Sequence, residues 1–138
     1  MDQPLVKTIL AVIAGVIAGG AIVFVTEVVG HSLYPPPADI NLADPEDVKR
    51  LMANLPAGAF LMVLVGWFLG SFAGAFIAYS ISRKAIAAWT VAAIFILFTA
   101  MNFMMIPHPA WMIAAGLLIP LASAWLALRL RRGSADPA

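Results

Sequence analysis

The sequence contains no cysteine and few charged residues. Without cysteine, the chain can form neither a disulfide framework nor a thiolate metal site. Charged residues make up 11% of the 138 residues and apolar residues 63%, whereas soluble domains contain about 25% charged residues. This balance excludes an ordinary soluble domain and predicts a chain that lies in a lipid bilayer.

The motifs of the common enzyme classes are also missing from the sequence. It has no phosphate-binding glycine loop, no HExxH metalloprotease motif and no CxxCH haem-attachment motif. Neither a nucleophile with an adjacent base nor a pair of carboxylates occurs in the apolar stretches. These absences favour a non-enzymatic protein.

Four stretches are long and apolar enough to span a bilayer, which takes about 20 residues per helix. They lie at about residues 7–29, 57–81, 85–106 and 110–128. Residues 1–138 are therefore expected to form one all-α integral membrane domain, a compact bundle of four transmembrane helices. The first apolar stretch is longer than the core of a signal peptide, which is about 7 to 15 residues, so we predict a retained helix.

The basic residues predict how the helices are oriented. With four spanning helices both termini lie on one side, and six of the eight basic residues fall on that side: Lys7, Arg83, Lys84, Arg129, Arg131 and Arg132. The positive-inside rule then predicts cytoplasmic termini, with residues 30–56 outside and the protein in a bacterial inner membrane. The arginines near the C-terminus are interpreted as this topology signal rather than as a nucleic-acid site.

A short amphipathic helix is predicted at about residues 45–54 of the outer segment. Asp44 is a good N-cap residue, and Pro45 suits the first helical position. An apolar stripe follows at helical spacing, formed by Val48, Leu51, Met52 and Leu55. We expect this helix to lie on the outer membrane surface or to cover the bundle.

Small residues in register predict close packing between the first two spanning helices. Gly66, Gly70 and Gly74 recur every four residues in the second, and Gly15 and Gly19 do so in the first. Such faces let two helix backbones approach closely in lipid. The same face could instead bind a second copy of the chain or a partner membrane protein.

Pro120 interrupts the last apolar stretch. A proline inside a helix removes one backbone hydrogen bond and bends the helix. Membrane helices tolerate this where neighbours satisfy the freed carbonyl, and Ser123 is close enough along the chain to contribute.

Glu27 is the only acidic residue in the four predicted spans, and His31 follows it by one helical turn. Ionisable groups in a membrane segment are costly and point to a functional site. On a continuous helix the two side chains would share one face. Gly30 lies between them and could end the helix, which would separate them.

His108 is predicted at the same membrane face, in the turn between the third and fourth spans, where Pro107 and Pro109 stiffen the backbone. Asn102 lies one or two turns further into the membrane, and Tyr34 follows the first span. Both histidines and the membrane carboxylate are therefore expected at one depth.

Three interpretations of this polar cluster stay open. In the first, Glu27 accepts a hydrogen bond from Asn102 or a histidine, and the cluster is structural. In the second, Glu27, His31 and His108 bind zinc or copper or another small ligand, with Asn102 and Tyr34 around them. In the third, the protein is a proton- or cation-coupled small transporter in which Glu27 titrates.

Overall fold

The computed structural model describes residues 3–133, and this part of the chain is all-helical. It contains five helices: α1 (Gln3–Leu33), α2 (Pro45–Asn54), α3 (Ala57–Ser82), α4 (Ala85–Met105) and α5 (Ala110–Gly133). By length and composition, α1, α3, α4 and α5 are suited to cross a membrane. The short α2 follows α1, and we call the end of the bundle that carries it the α2 end.

The long helices present apolar side chains outward, as an integral membrane protein does. Ile17 and Phe24 on α1 are 67% and 65% exposed, and Leu118 on α5 is 63% exposed. Exposed side chains of this size are stable only against another apolar medium. The outer faces of the long helices are therefore consistent with contact with the lipid bilayer.

α1 is longer than the sequence predicted, because Gly30 does not end it. The helix begins at Gln3 and continues through Gly30 to Leu33, and no described glycine has a positive φ. Tyr34 N–H then donates to the carbonyl of Gly30 over 2.8 Å. Glu27 and His31 therefore share one continuous helix.

α5 also extends beyond the predicted span, to Gly133. Arg131 is held at this end, because its Nε donates to Ser80 Oγ over 2.9 Å and its guanidinium lies 5.2 Å from the centre of the Phe76 ring. The last turn of α5, which carries this arginine, is therefore helical and packs against α3.

α1 and α3 approach so closely that only glycine fits at their contact. A Cβ atom on Gly15 would overlap the carbonyl oxygen of Gly74, and one on Gly19 would overlap that of Gly70. The two backbones are thus in direct contact over at least one helical turn.

The same contact covers the third glycine of the series. A side chain on Gly66 would overlap the hydroxyl of Thr26 on α1, and Gly66, Gly70 and Gly74 are all buried. α1 of the same chain therefore occupies the face that the sequence also suggested for an oligomer or a partner protein. A second chain could use it only by displacing α1.

The bundle is tightly packed away from the α2 end. One buried cluster consists mainly of alanine and joins α3, α4 and α5: Ala75, Ala88, Ala92, Ala124, Ala127 and Leu128. A second cluster, which includes Val91 and Phe95, packs against Val12, Val16 and Val23 of α1. Small side chains bring these helices together and fill this half of the bundle.

Pro120 is buried inside a helix that continues through it. Ser123, however, does not have the predicted role. Its Oγ lies 3.0 Å from Ser71 Oγ and 3.3 Å from the carbonyl oxygen of Phe68, both on α3. Because position 123 faces α3, its hydroxyl joins two helices rather than satisfying a carbonyl of its own helix.

α2 begins as predicted and lies over the end of the bundle. The Asp44 side chain accepts a hydrogen bond from Glu46 N–H at 3.0 Å, and Pro45 is the first helical residue. Met52 and Leu55 pack against a third buried cluster, which contains Trp67. The apolar stripe of α2 therefore faces the bundle interior.

Candidate functional site

A cavity of about 590 Å³ lies beneath α2. α1 and Tyr34 form one wall, α3 another, and the end of α4 with the α4–α5 turn a third. Its lining is mostly apolar, and its volume falls within the range of about 300 to 1,000 Å³ that is typical of small-molecule sites. The cavity therefore has the dimensions of a binding site for a small molecule.

All five predicted site residues line this one cavity: Glu27, His31, Tyr34, Asn102 and His108. The continuous α1 supplies the first two, and Tyr34 follows directly after it. Asn102 lies in the last turn of α4, and His108 lies in the turn that leads to α5. The fold brings together groups that are far apart in the sequence.

His108 is fixed in both tautomer and position. Its Nδ1 lies 2.7 Å from the carbonyl oxygen of Ile106, and because a carbonyl only accepts, Nδ1 carries the proton. The ring contacts Phe103 edge-on, with centroids 5.0 Å apart, and lies 6.5 Å from Trp67. In the neutral imidazole, Nε2 is left as a hydrogen-bond acceptor.

His31 is oriented in the same way. Its Nδ1 donates to the backbone carbonyl of Glu27 over 2.9 Å, one turn earlier on α1. The histidine ring is thus held by the helix backbone and not by the carboxylate of Glu27. Its Nε2 also remains available to accept a hydrogen bond.

Glu27 and Asn102 do not form the predicted structural contact. Within residues 3–133, the Glu27 carboxylate has neither a hydrogen bond nor an ion pair, and Asn102 Oδ1 is buried without a partner. A buried oxygen of this kind costs about 1–3 kcal/mol when it is left unpaired. The Glu27–Asn102 contact is therefore not formed in this structure, and both side chains are left without a partner.

The predicted three-ligand metal site is not assembled either. In the described part of the chain, no group of three or more histidine, aspartate and glutamate side chains is placed to hold a metal ion. The thioethers of nearby methionines would favour copper. Met101, Met104 and Met105 are exposed, whereas Met112 is buried. Glu27, His31 and His108 share the cavity lining without forming a coordination site.

Aromatic residues at the base of the cavity were not predicted as site residues. Trp67 and Phe60 line it and belong to the same buried cluster as Met112. Gly116 of α5 makes room for Trp67, since a Cβ there would lie 2.7 Å from Cζ3 of that ring. Two features of the sequence could have indicated this aromatic base: Gly116 in the middle of the last span and Trp67 deep in the second span.

Glycine also makes room for Tyr34. A side chain on Gly58, in the first turn of α3, would overlap the tyrosine hydroxyl. The segment that follows α1 is thereby held against the start of α3. Tyr34 thus lines the cavity beside the first turn of α3.

The chain matches no known protein-family model, and comparisons with curated proteins and with solved structures found no significant match.

Proposed function

We propose that this chain is a small integral membrane protein that binds a small amphiphilic molecule in the cavity beneath α2. The observation that carries the proposal is the convergence of Glu27, His31, Asn102 and His108 on one mostly apolar cavity. A few polar groups set in an apolar lining are typical of sites that orient a small ligand. The apolar walls would hold the body of the molecule, and the polar groups its head.

The proposed orientation follows from charge. The end opposite α2 carries Arg83, Lys84 and the arginines of the last turns of α5, so the positive-inside rule supports cytoplasmic termini. The α2 end and its cavity would then lie at the outer face of a bacterial inner membrane. A ligand would reach the cavity from the outer leaflet or from the outer aqueous phase.

Binding is favoured over transport by the packing of the other half of the bundle. Below Trp67, the alanine-rich cluster and the cluster around Val91 fill the space between the helices. Close-packed interiors of this kind leave no path for a solute. A transporter with Glu27 as its titrating group would have to separate α3, α4 and α5, whereas a binding protein would not.

A matched pair of substitutions on α3 tests the proposal. Val63 is half-buried and lines the cavity, whereas Val65 is 48% exposed on the outside of the same helix. Val63→Phe should fill part of the cavity, and Val65→Phe should leave it unchanged. Both variants add the same apolar bulk to the same helix.

The probe is naphthylethanol, and its binding is measured by equilibrium dialysis with the full chain in lipid nanodiscs. We expect saturable binding of one molecule per chain. Val63→Phe should weaken it by about tenfold, the equivalent of 1.4 kcal/mol, with Val65→Phe unchanged. Uptake that equals that of empty nanodiscs, or that is identical in the two variants, would overturn the proposal.

A further inference from the structure

Hydrogen-bond acceptors without partners dominate the polar lining of the cavity. The Glu27 carboxylate, Asn102 Oδ1 and the Nε2 atoms of His31 and His108 make no hydrogen bond within residues 3–133. All four groups accept hydrogen bonds in their common forms. A ligand that satisfies them must donate hydrogen bonds.

Two donors of the lining are engaged, whereas Asn102 Nδ2 and the Tyr34 hydroxyl make no hydrogen bond within residues 3–133. The Lys49 ammonium donates to Glu46 Oε1 over 2.8 Å, and this bond, together with the charge of Glu46, raises the pKa of Lys49. The Thr26 hydroxyl donates to the carbonyl oxygens of its own helix, with 2.8 Å to that of Val23. The free acceptors of the lining still outnumber these two free donors, and one of the acceptors is a carboxylate without an ion-pair partner.

Two helix C-termini add to this negative character. α1 ends at Leu33 and α4 at Met105, so the last carbonyl groups of both helices lie beside the cavity. A helix C-terminus carries a partial negative charge and attracts cations. Glu27 lies within two turns of the end of α1, Asn102 lies in the last turn of α4, and both line the cavity.

The helix N-termini at the same end do not offset this effect in full. α3 and α5 both begin there, but Ala59 N–H donates to Pro56 and Met112 N–H donates to Pro109, each over 2.9 Å. These two first-turn donors are satisfied by the prolines that directly precede the helices. The cavity thus offers a cation more free partners than it offers an anion.

From this excess of acceptors, we infer that the ligand is a lipophilic amine that binds as its ammonium ion. Its N–H groups donate to the Glu27 carboxylate and to Asn102 Oδ1, and its apolar body lies against Trp67 and Phe60. Ammonium groups are attracted both to carboxylates and to the faces of aromatic rings. The inference rests on the proposed function, since it names the chemical class of the ligand that the same cavity binds.

Three probes with one ring system and different heads test the inference: naphthylethylamine, naphthylethanol and naphthylacetate. Binding to the full chain in nanodiscs is again measured by dialysis, and uptake by empty nanodiscs is subtracted. The amine should bind about tenfold or more tighter than the alcohol, because hydrogen bonds to charged groups are the stronger class. The carboxylate should bind weakest of the three.

Glu27→Gln tests whether the tighter binding of the amine depends on the Glu27 carboxylate. It should reduce the affinity for the amine to about that for the alcohol and leave the affinity for the alcohol unchanged. Asp39→Asn is the matched control, because Asp39 is exposed, pairs with Arg50 and does not line the cavity. That control should leave the affinity for the amine within about twofold of wild type, as expected of an exposed ion pair.

Failure of this inference can be told apart from failure of the proposed function. If the alcohol or the carboxylate binds as tightly as the amine, the cavity is a binding site but the amine class is wrong. The same holds if Glu27→Gln leaves the affinity for the amine unchanged. If none of the three probes binds saturably, both the proposed function and this inference are overturned.

Discussion

The Nδ1 atom of His31 donates its hydrogen bond to the backbone carbonyl of Glu27, 2.9 Å away, and not to the carboxylate of that residue. This relationship fixes the histidine ring while it leaves the carboxylate unpaired. A Glu–His side-chain pair would have neutralised part of the polar lining. The cavity instead keeps a free carboxylate and a free Nε2, and this is what makes it a candidate binding site.

The contact between α1 and α3 should depend on individual glycines. Gly19→Leu would force a side chain into the carbonyl of Gly70 and the ring of Phe95, whose Cζ lies 2.8 Å from the added Cβ. We expect a loss of about 1–3 kcal/mol in the free energy of unfolding, the usual cost of overpacking. Reversible unfolding in mixed micelles measures it.

Gly20→Leu provides the control for that substitution. A Cβ at Gly20 has no heavy atom within 4 Å among residues 3–133. The leucine would therefore point away from the bundle, and the free energy of unfolding should stay equal to or above that of wild type. Equal losses for Gly19→Leu and Gly20→Leu would show that α1 does not pack against α3 in this register.

Asn102→Leu should be neutral or stabilising in the absence of ligand. It removes a buried oxygen that has no partner, and such an unpaired group costs about 1–3 kcal/mol. The same unfolding assay measures the change. If Asn102 instead forms a structural hydrogen bond, the substitution should lower the free energy of unfolding. A marked loss of stability would therefore show that Asn102 is hydrogen-bonded in the membrane.

Asp44→Ala should weaken α2 without affecting the long helices. Its side chain accepts the Glu46 N–H, and the loss of an N-cap costs about 1 kcal/mol. Hydrogen exchange at residues 46–52 should become faster, while exchange in α3 stays unchanged. Asp39→Ala is the control, since Asp39 pairs with Arg50 at 3.3 Å and caps no helix. Unchanged exchange in α2 would mean that this cap does not stabilise it.

Protein purified without a histidine tag should contain less than one zinc or copper ion per chain, even after it is loaded with either metal. The described residues offer no group of three ligands, and protein zinc sites use about three or four. Elemental analysis after dialysis measures the metal content. A stoichiometric ion that is lost on Glu27→Gln would show that these side chains rearrange into a metal site.

The helices were predictable because each depends on local signals. Apolar length gives the four long helices, and Asp44 with Pro45 marks the start of α2. The ends of α1 were not predictable in this way. Gly30 has a helix-ending tendency, but His31 and Ser32 each donate to a carbonyl one turn earlier and so support the helix beyond it.

The residues of the site were easier to predict than their contacts. Rare polar residues in apolar segments identified Glu27, Asn102 and His108. Their hydrogen-bond partners depend on side-chain directions and on the cavity that α2 covers, and neither can be read from spacing along the chain. Ser123 illustrates the same limit, because only the packing of α5 on α3 shows that its hydroxyl faces Ser71.

The most direct test of the central claim is photo-crosslinking in nanodiscs with a diazirine derivative of naphthylethanol, followed by mapping of the labelled peptides. The account predicts adducts on residues of the cavity lining such as Trp67 and Val63, and excess naphthylethanol should abolish them. Adducts confined to lipid-facing side chains such as Ile17 and Leu118, with no effect of the competitor, would contradict it.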